Sequence, residues 1–348
     1  MLWLATLLAG AALAANPSAT TYDILATRLE GSTRVSTVRA DMVFASSTVE
    51  MQFLLSDHSI MGAMFMEDGI REQAVYPGFA VMQASIFLER QLDRALQIGL
   101  GVGTVPTFLR TNGVPTDAVE LSAATVEMAA SYFEYEDCRV APCPRGQTYV
   151  MDGLQFLADE PALPYDLAII DVYTGFNVLP FYTQETLTRI DKRWLTRHGV
   201  VVMNFVGYYN EPNMDIVHAI RATFKSVFRH VRVFREMPAN DLHEPANLIF
   251  YASQAPITFK FPPGLETPPP GYYEALVTFQ DWEMLKEDEV QVDADGSVAA
   301  RSAVLTTTTD LTQFEATHVA TVTYMEARCK ALLPDAMWSE LDAMATDD

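Results

Sequence analysis

Apolar and polar positions along the chain change their spacing in a regular way. Between residues 20 and 73, the stretches TYDILATRLEG, RVSTVRADMVF and EMQFLLSD alternate apolar with polar positions and are rich in β-branched residues. That period of two predicts strands with one buried face. Over 78–91 the period lengthens, and Phe79, Met82, Ile86 and Phe87 share one side of an expected helix. From residue 95, short apolar runs alternate with amphipathic ones. ALQIG (95–99), DAVEL (117–121), QTYVMD (147–152), DLAIID (166–171), GVVVMNFV (199–206), HVRVFRE (230–236) and ANLIFYAS (246–253) read as strands. VPTFLRTNG, SAATVEMAASYF, GLQFLAD, TQETLTRIDKRW and MDIVHAIRATFKSVF read as the helices between them. Ser122 is placed to cap its helix, and Asn112-Gly113 to stop the one before it. DLAIID is so apolar that burial on both faces is expected. Strand–helix alternation of this kind predicts an α/β fold with a parallel sheet and crossover helices.

Past residue 253 the pattern breaks. FPPGLETPPPGYY (261–273) reads as rigid and extended, and Tyr272 and Tyr273 at its end are candidates for a lid. An acidic stretch follows over 286–295, then one final helix over 319–333. No third folded domain is indicated. The expected division is a leader over 1–16, a small β-rich domain over 20–77 and a cofactor-binding domain over 78–255. The remainder, 256–348, is expected to pack its helix on that second domain.

Composition narrows the function classes. The chain has 348 residues, 49% hydrophobic and 20% charged, with a formal net charge of −22. Such an acidic chain lacks the basic face that nucleic acid requires. It suits a small cationic acceptor such as an amine, although acidity also serves solubility alone. The opening MLWLATLLAGAALAANPS is apolar over 2–15 and ends in small residues, like a signal peptide, but lacks the basic start. It is short for a membrane span. A secretory or extracellular location is expected, with a membrane anchor or an internal start in a longer chain as the alternatives. Cys138 and Cys143 sit in one proline-containing loop, where a local disulfide and free thiols are both open, and Cys329 stands apart. The six histidines are scattered, so no metal site is expected.

The candidate chemistry sits at the ends of the apolar strands. Gly99, Gly101 and Gly103 form a glycine turn directly after a strand and open a helix, where backbone can approach a ligand closely. Glu120 ends the next strand, where an acid can bind ribose hydroxyls. Asp152 and Gly153 end the third strand, facing an adenine amino group in this reading, and Asp171 ends the fourth. Three carboxylates at successive strand ends suit a sulfonium-bearing adenosyl cofactor. The glycine turn alone would equally suit a dinucleotide. Tyr173 is a candidate substrate contact or a packed loop aromatic, and Asn204 a crevice residue or a satisfied hydrogen-bonding group. Met61, Met64, Met66 and Met82 read as core.

In this order, GLGVGT, VELSAATVEMAASYF, MDGLQFL, YDLAIIDVYTG, LTRHGVVVMNFVG and FREMPANDLHEPANLIFYAS resemble the spermidine/spermine synthase family. TTDLTQFE (308–315) is similar to that family's closing acidic segment. The resemblance spans roughly 57–315. It implies a Rossmann-like seven-stranded methyltransferase sheet with a small N-terminal β-domain, and in many members a homodimer. It implies a cofactor of S-adenosylmethionine or its decarboxylated form, with Gly99, Gly101 and Gly103 as its loop. Glu120 would bind its ribose and Asp152 its adenine, while Asp171 would be the catalytic aspartate. Three positions depart from the family pattern. Val102 stands where an aspartate engages the decarboxylated donor's amine, Thr174 where a second acid follows the catalytic one, and Tyr76-Pro77-Gly78 where Tyr-His-Glu is usual. The expected function is transfer of an aminopropyl or methyl group to an amine or other small nucleophile. Two other readings stay open: a binding or scaffold protein that keeps the fold, and an NAD-dependent oxidoreductase.

Overall fold

The computed structural model describes residues 18–44, 47–173, 175–210, 213–236, 244–265, 275–284 and 303–344. The apolar segment 1–16, the acidic stretch 286–295, Thr174, Tyr272 and Tyr273 lie outside them.

The alternating N-terminal stretches form β1 (Ser18–Glu30), β2 (Thr33–Phe44), β3 (Ser47–Ser56) and β4 (Ser59–Phe65), an antiparallel meander in sequential order. Its period of two separates two apolar faces. Val38, Ala40, Met51 and Phe53 belong to one cluster, and Val35, Leu54 and Met64 to another. The second face packs on Val102, Ala124 and Met128 of the larger domain. The first is covered from the far end of the sequence, by Leu333, Met337, Trp338 and Leu341.

The larger sheet contains β5 (Ala95–Ile98), β6 (Thr116–Glu120), β7 (Thr148–Val150), β8 (Tyr165–Ile170), β9 (Leu195–Gly207), β10 (His230–Arg235) and β11 (Ala246–Ser253). Its order is β10-β11-β9-β8-β5-β6-β7. Helices α1 (Pro77–Gln83), α2 (Thr104–Thr111), α3 (Ala123–Tyr132), α4 (Gly153–Ala158), α5 (Gln184–Arg189) and α6 (Asp215–Val227) cover it. α7 (Glu315–Leu332) and α8 (Asp335–Met344) follow. The strands are buried on both faces, as DLAIID demanded. Leu167 and Ile169 join Ala95, Val200 and Val202 on one side, while Ala168 and Ile170 join Leu96, Ile98 and Met203 on the other.

Three expectations are corrected. The sheet is mixed, because β11 runs antiparallel to both β9 and β10. Only residues 236–245 separate β10 from β11, fewer than the dozen or so a parallel crossover needs. The helix expected over 78–91 ends at Gln83 and tightens to a 3₁₀ turn over Ala84–Phe87, because Leu88 pairs with Phe259 in an extended bridge. The single C-terminal helix is two, broken at Pro334, whose missing N–H and ring cannot continue a helix. The expected helix is α7, whose Thr317 donates to Asp215 of α6 at 3.0 Å, and the added α8 packs on the four-stranded sheet. Arg34, buried in that sheet, donates to the Leu341 carbonyl at 2.5 Å and to Asp342 at 3.0 Å.

Local signals were read well where the backbone decides them. Ser122 Oγ accepts from the Thr125 N–H at 2.9 Å. Asn112-Gly113 closes α2 in a Schellman arrangement, Gly113 N–H to Arg110 and Val114 N–H to Leu109. Cys138 and Cys143 form a disulfide, and Cys329 is free. Among the described residues no helix is long and apolar enough to cross a membrane.

Candidate functional site

The strand order reverses direction in sequence at β5 and β8, and there the carboxyl ends of the strands open a crevice. The Asp171 N–H bonds to Ile98 O at 2.8 Å, and the Gly99 N–H to Val119 O at 2.9 Å, so β5, β6 and β8 end in register. Gly99 has φ +84°, and a Cβ there would lie 2.0 Å from the Asp171 carbonyl oxygen. The neighbouring strand end therefore requires glycine before any ligand does. Cβ atoms at Gly101 and Gly103 would come within 2.8 Å of the Met61 carbonyl and 2.7 Å of the Tyr135 ring. The glycine turn is thus wedged between the two domains.

A cavity of about 550 Å³ opens at this edge, walled by the turn, the strand ends, the four-stranded sheet and α7. Glu120, Asp152 and Asp171 all line it, with Gly99, Gly101 and Gly153. Gly103 and Val102 are not among its lining residues; Val102 is turned into the packing between the domains. Glu120 Oε2 accepts from the Leu100 N–H and Oε1 from the Ser122 N–H, each at 2.9 Å. Its carboxyl is pushed above the usual range by burial, which these backbone donors oppose. Asp152 Oδ1 accepts from the Gln155 N–H at 2.8 Å, so this acid caps α4 while it faces the cavity. The Tyr173 hydroxyl is buried with no hydrogen-bond partner, and burial pushes its pKa upward. Tyr76 lines the same space. Two positions on, Gly78 packs α1 closely on β11, where a Cβ would lie 3.0 Å from Asn247 Cβ.

Asp171 carries the site's most informative electrostatics. Burial pushes its carboxyl up to about 6, and the Asn204 amide opposes that rise. Asn204 Nδ2 donates to Asp171 Oδ1 and to Asn247 Oδ1, both at 2.9 Å. Asn247 Nδ2 donates in turn to Glu236 Oε2 at 2.9 Å. A carboxylate at each end leaves the amides one orientation, because an ionised carboxylate only accepts. Asn204 thus faces the crevice and is hydrogen-bonded through its side chain. The Tyr182 hydroxyl, which donates to the Asn204 carbonyl, also lies close enough to Asp171 to sense its charge. Asn204→Leu removes the donor that favours ionised Asp171. The Asp171 pKa in this variant, followed by carboxyl carbon NMR, is expected to lie above the parent's; an unchanged value would remove Asn204 from this role.

Sequence reasoning missed Asn247, Glu236, Arg235 and Arg328, which also line the cavity. The first three lie around the β10–β11 turn, brought to the crevice by the strand reversal that the pattern did not show. It also missed the wall made by Met42, Met51 and Phe53; Met61 reaches the cavity but packs, as read, with the core cluster on the sheet's other face. Met64 and Met82 are buried core. Among the described residues no cluster of three or more His, Cys, Asp or Glu could hold a metal ion.

No family model matches the chain. The N-terminal histidine N-methyltransferase of Emericella nidulans is 26% identical over 225 residues, 59% of this chain and 39% of that protein. The chain therefore spans about two fifths of the length of that curated relative. A probable spermidine synthase from Corynebacterium glutamicum superposes with a TM-score of 0.54 at 18% identity, covering 67% of this chain and 81% of that one. The seven-stranded α/β sheet with a separate small β-sheet is thus a fold shared with that structure.

Proposed function

We propose that the protein is a transferase that takes a methyl group from S-adenosylmethionine and places it on an amine. The observation that carries this reading is the convergence of Glu120, Asp152 and Asp171 on one cavity at the switch point of the sheet. The group fits the residues present. Glu120 is fixed by two backbone donors and retains lone pairs for ribose hydroxyls. Asp152 and Gly153 would flank the adenine, and the glycine turn the chain between. When bound, an S-adenosyl sulfonium supplies an electrophilic methyl carbon.

Asp171 does the protein's part of the chemistry. An amine is a nucleophile only when its lone pair is free, so an ammonium acceptor must lose a proton first. An ionised Asp171, held by Asn204, accepts that proton and orients the nitrogen. The new N–C bond forms as the C–S bond breaks, and the sulfur leaves with the electron pair. A carboxyl titrating near 6 is charged at neutral pH yet basic enough to take a proton.

Methyl transfer is favoured over aminopropyl transfer by Val102. The position where an acid would meet the decarboxylated donor's amine is apolar and packed between the domains. The Emericella relative carries the name of a methyltransferase. Isothermal calorimetry with S-adenosylmethionine, its decarboxylated form and NAD tests the reading. Binding of the first at least about tenfold tighter than either other donor is expected. A preference for the decarboxylated form would overturn methyl transfer, and a preference for NAD the whole reading.

A further inference from the structure

The same cavity has a second wall, far more apolar than the strand edge. The four-stranded sheet contributes Met42, Met51, Phe53, Ile60 and Met61, and the chain before α1 adds Val75. None of these side chains ionises. Helix α7, which packs beside β4, contributes Met325, Leu332 and the cation Arg328. Around the β10–β11 turn the charges offset one another. Arg235 feels the attraction of Glu236 and Glu244 and the repulsion of Arg328. Both Glu236 oxygens are already engaged, Oε1 by the Asn247 N–H at 3.0 Å and Oε2 by its amide at 2.9 Å. Glu120 and Asp152 accept backbone N–H groups and stand on the nucleoside side of the proposed donor site. Glu244 lines the cavity beside the Arg235 charge, whereas Asp171, at the strand edge, has only the neutral Asn204 amide beside it.

Resting on the methyl-donor reading above, we propose that the acceptor is a monoamine with an apolar body, its nitrogen at Asp171 and its body against Met42, Met51, Phe53 and Ile60. A linear polyamine meets this geometry badly. Its second ammonium, several carbons from the first, would lie on a wall with no acid, in a cavity that also holds the cation Arg328. Desolvating an unpaired ammonium is costly, whereas an alkyl or aryl chain gains by leaving water there.

Hexylamine and hexamethylenediamine isolate the point, since they share a chain and differ by one terminal ammonium. Titrated calorimetrically into the protein saturated with S-adenosylhomocysteine, hexylamine is expected to bind at least about tenfold tighter. Ser59→Asp, which puts a carboxylate on the apolar wall at a partly exposed position, is expected to narrow that gap by improving the diamine. Arg328→Gln, which removes the cation on α7, is expected to act in the same direction. Equal or tighter binding of the diamine by the parent, or no hexylamine binding at millimolar concentration, overturns the proposal. Failure of the nucleoside to bind would instead overturn the donor reading, and the amine comparison is then made on the free protein.

Discussion

Asp171→Asn is expected to lower kcat by about 10²- to 10⁴-fold, the usual contribution of a positioned general base, while S-adenosylmethionine binds within about threefold of the parent. The substitution is unusually clean. Asn204 Nδ2 donates to Asp171 Oδ1, and an asparagine keeps that acceptor while replacing the free oxygen with an amide. Shape and hydrogen bonding survive, and basicity does not. The pH dependence carries the same message. Because Asp171 must be ionised to accept a proton, and burial lifts it to about 6, kcat/KM of the parent is expected to rise with pH through about 6 and level off above. The residual activity of Asp171→Asn should lack that limb. Full activity in the variant would show that the acceptor nitrogen arrives already deprotonated, and Asp171 would then be a binding group alone. The pair of measurements is a rate profile over pH for both proteins and a donor titration for each.

Gly99→Ala is expected to be among the most damaging single methyl additions in the larger domain, beside Gly146, whose Cβ would lie 1.9 Å from the Thr116 carbonyl oxygen. At φ +84° an alanine is strained by roughly 1–2 kcal/mol. Its Cβ would also sit 2.0 Å from the Asp171 carbonyl oxygen, a backbone atom of the adjacent strand end that has nowhere to go. Together a loss of about 4 kcal/mol or more is expected, in the range reserved for substitutions that break a specific structural requirement. A fall in the urea midpoint at unchanged slope measures it. Any folded population should bind donor poorly, since relieving the clash moves Asp171 from Ile98. Gly113→Ala is the control: its φ is also positive, at +84°, but a Cβ there meets nothing within 4 Å. It carries the conformational strain without the collision, so comparable losses in the two variants would assign the effect to strain alone.

The strands of the larger domain were legible because burial on both faces leaves a continuous apolar run, as in DLAIID and GVVVMNFV. Their positions along the chain say nothing about direction. The reversal of β11 follows from the shortness of 236–245, a length that was visible but not weighed. The site was legible for the same reason as the sheet, since Glu120, Asp152 and Asp171 each interrupt the apolar pattern at a strand end. Asn247 and Glu236 were not. Glu236 is an ordinary polar residue just past β10 and Asn247 one near the start of β11, and only the antiparallel return of β11 sets Asn247 beside Asn204. The glycines were found but partly misread. Their first requirement is the protein's own backbone and rings, and any closeness to a ligand comes second. α8 escaped because its apolar positions, Met337, Trp338 and Leu341, face a sheet made almost three hundred residues earlier.

That last contact bears on how the chain is made. During synthesis the four-stranded sheet emerges first, yet Val38, Ala40, Met51 and Phe53 stay uncovered until Met337, Trp338 and Leu341 leave the ribosome. The sheet is therefore completed by a segment almost three hundred residues further along the chain. Contacts this distant in sequence close slowly, and the waiting apolar face is open to the wrong partners meanwhile. Chains released before residue 335 should accumulate as chaperone clients even though every strand has been translated. For the finished protein the two domains should lose structure in one transition, because the segment that seals the small one is tethered to the large one by α7.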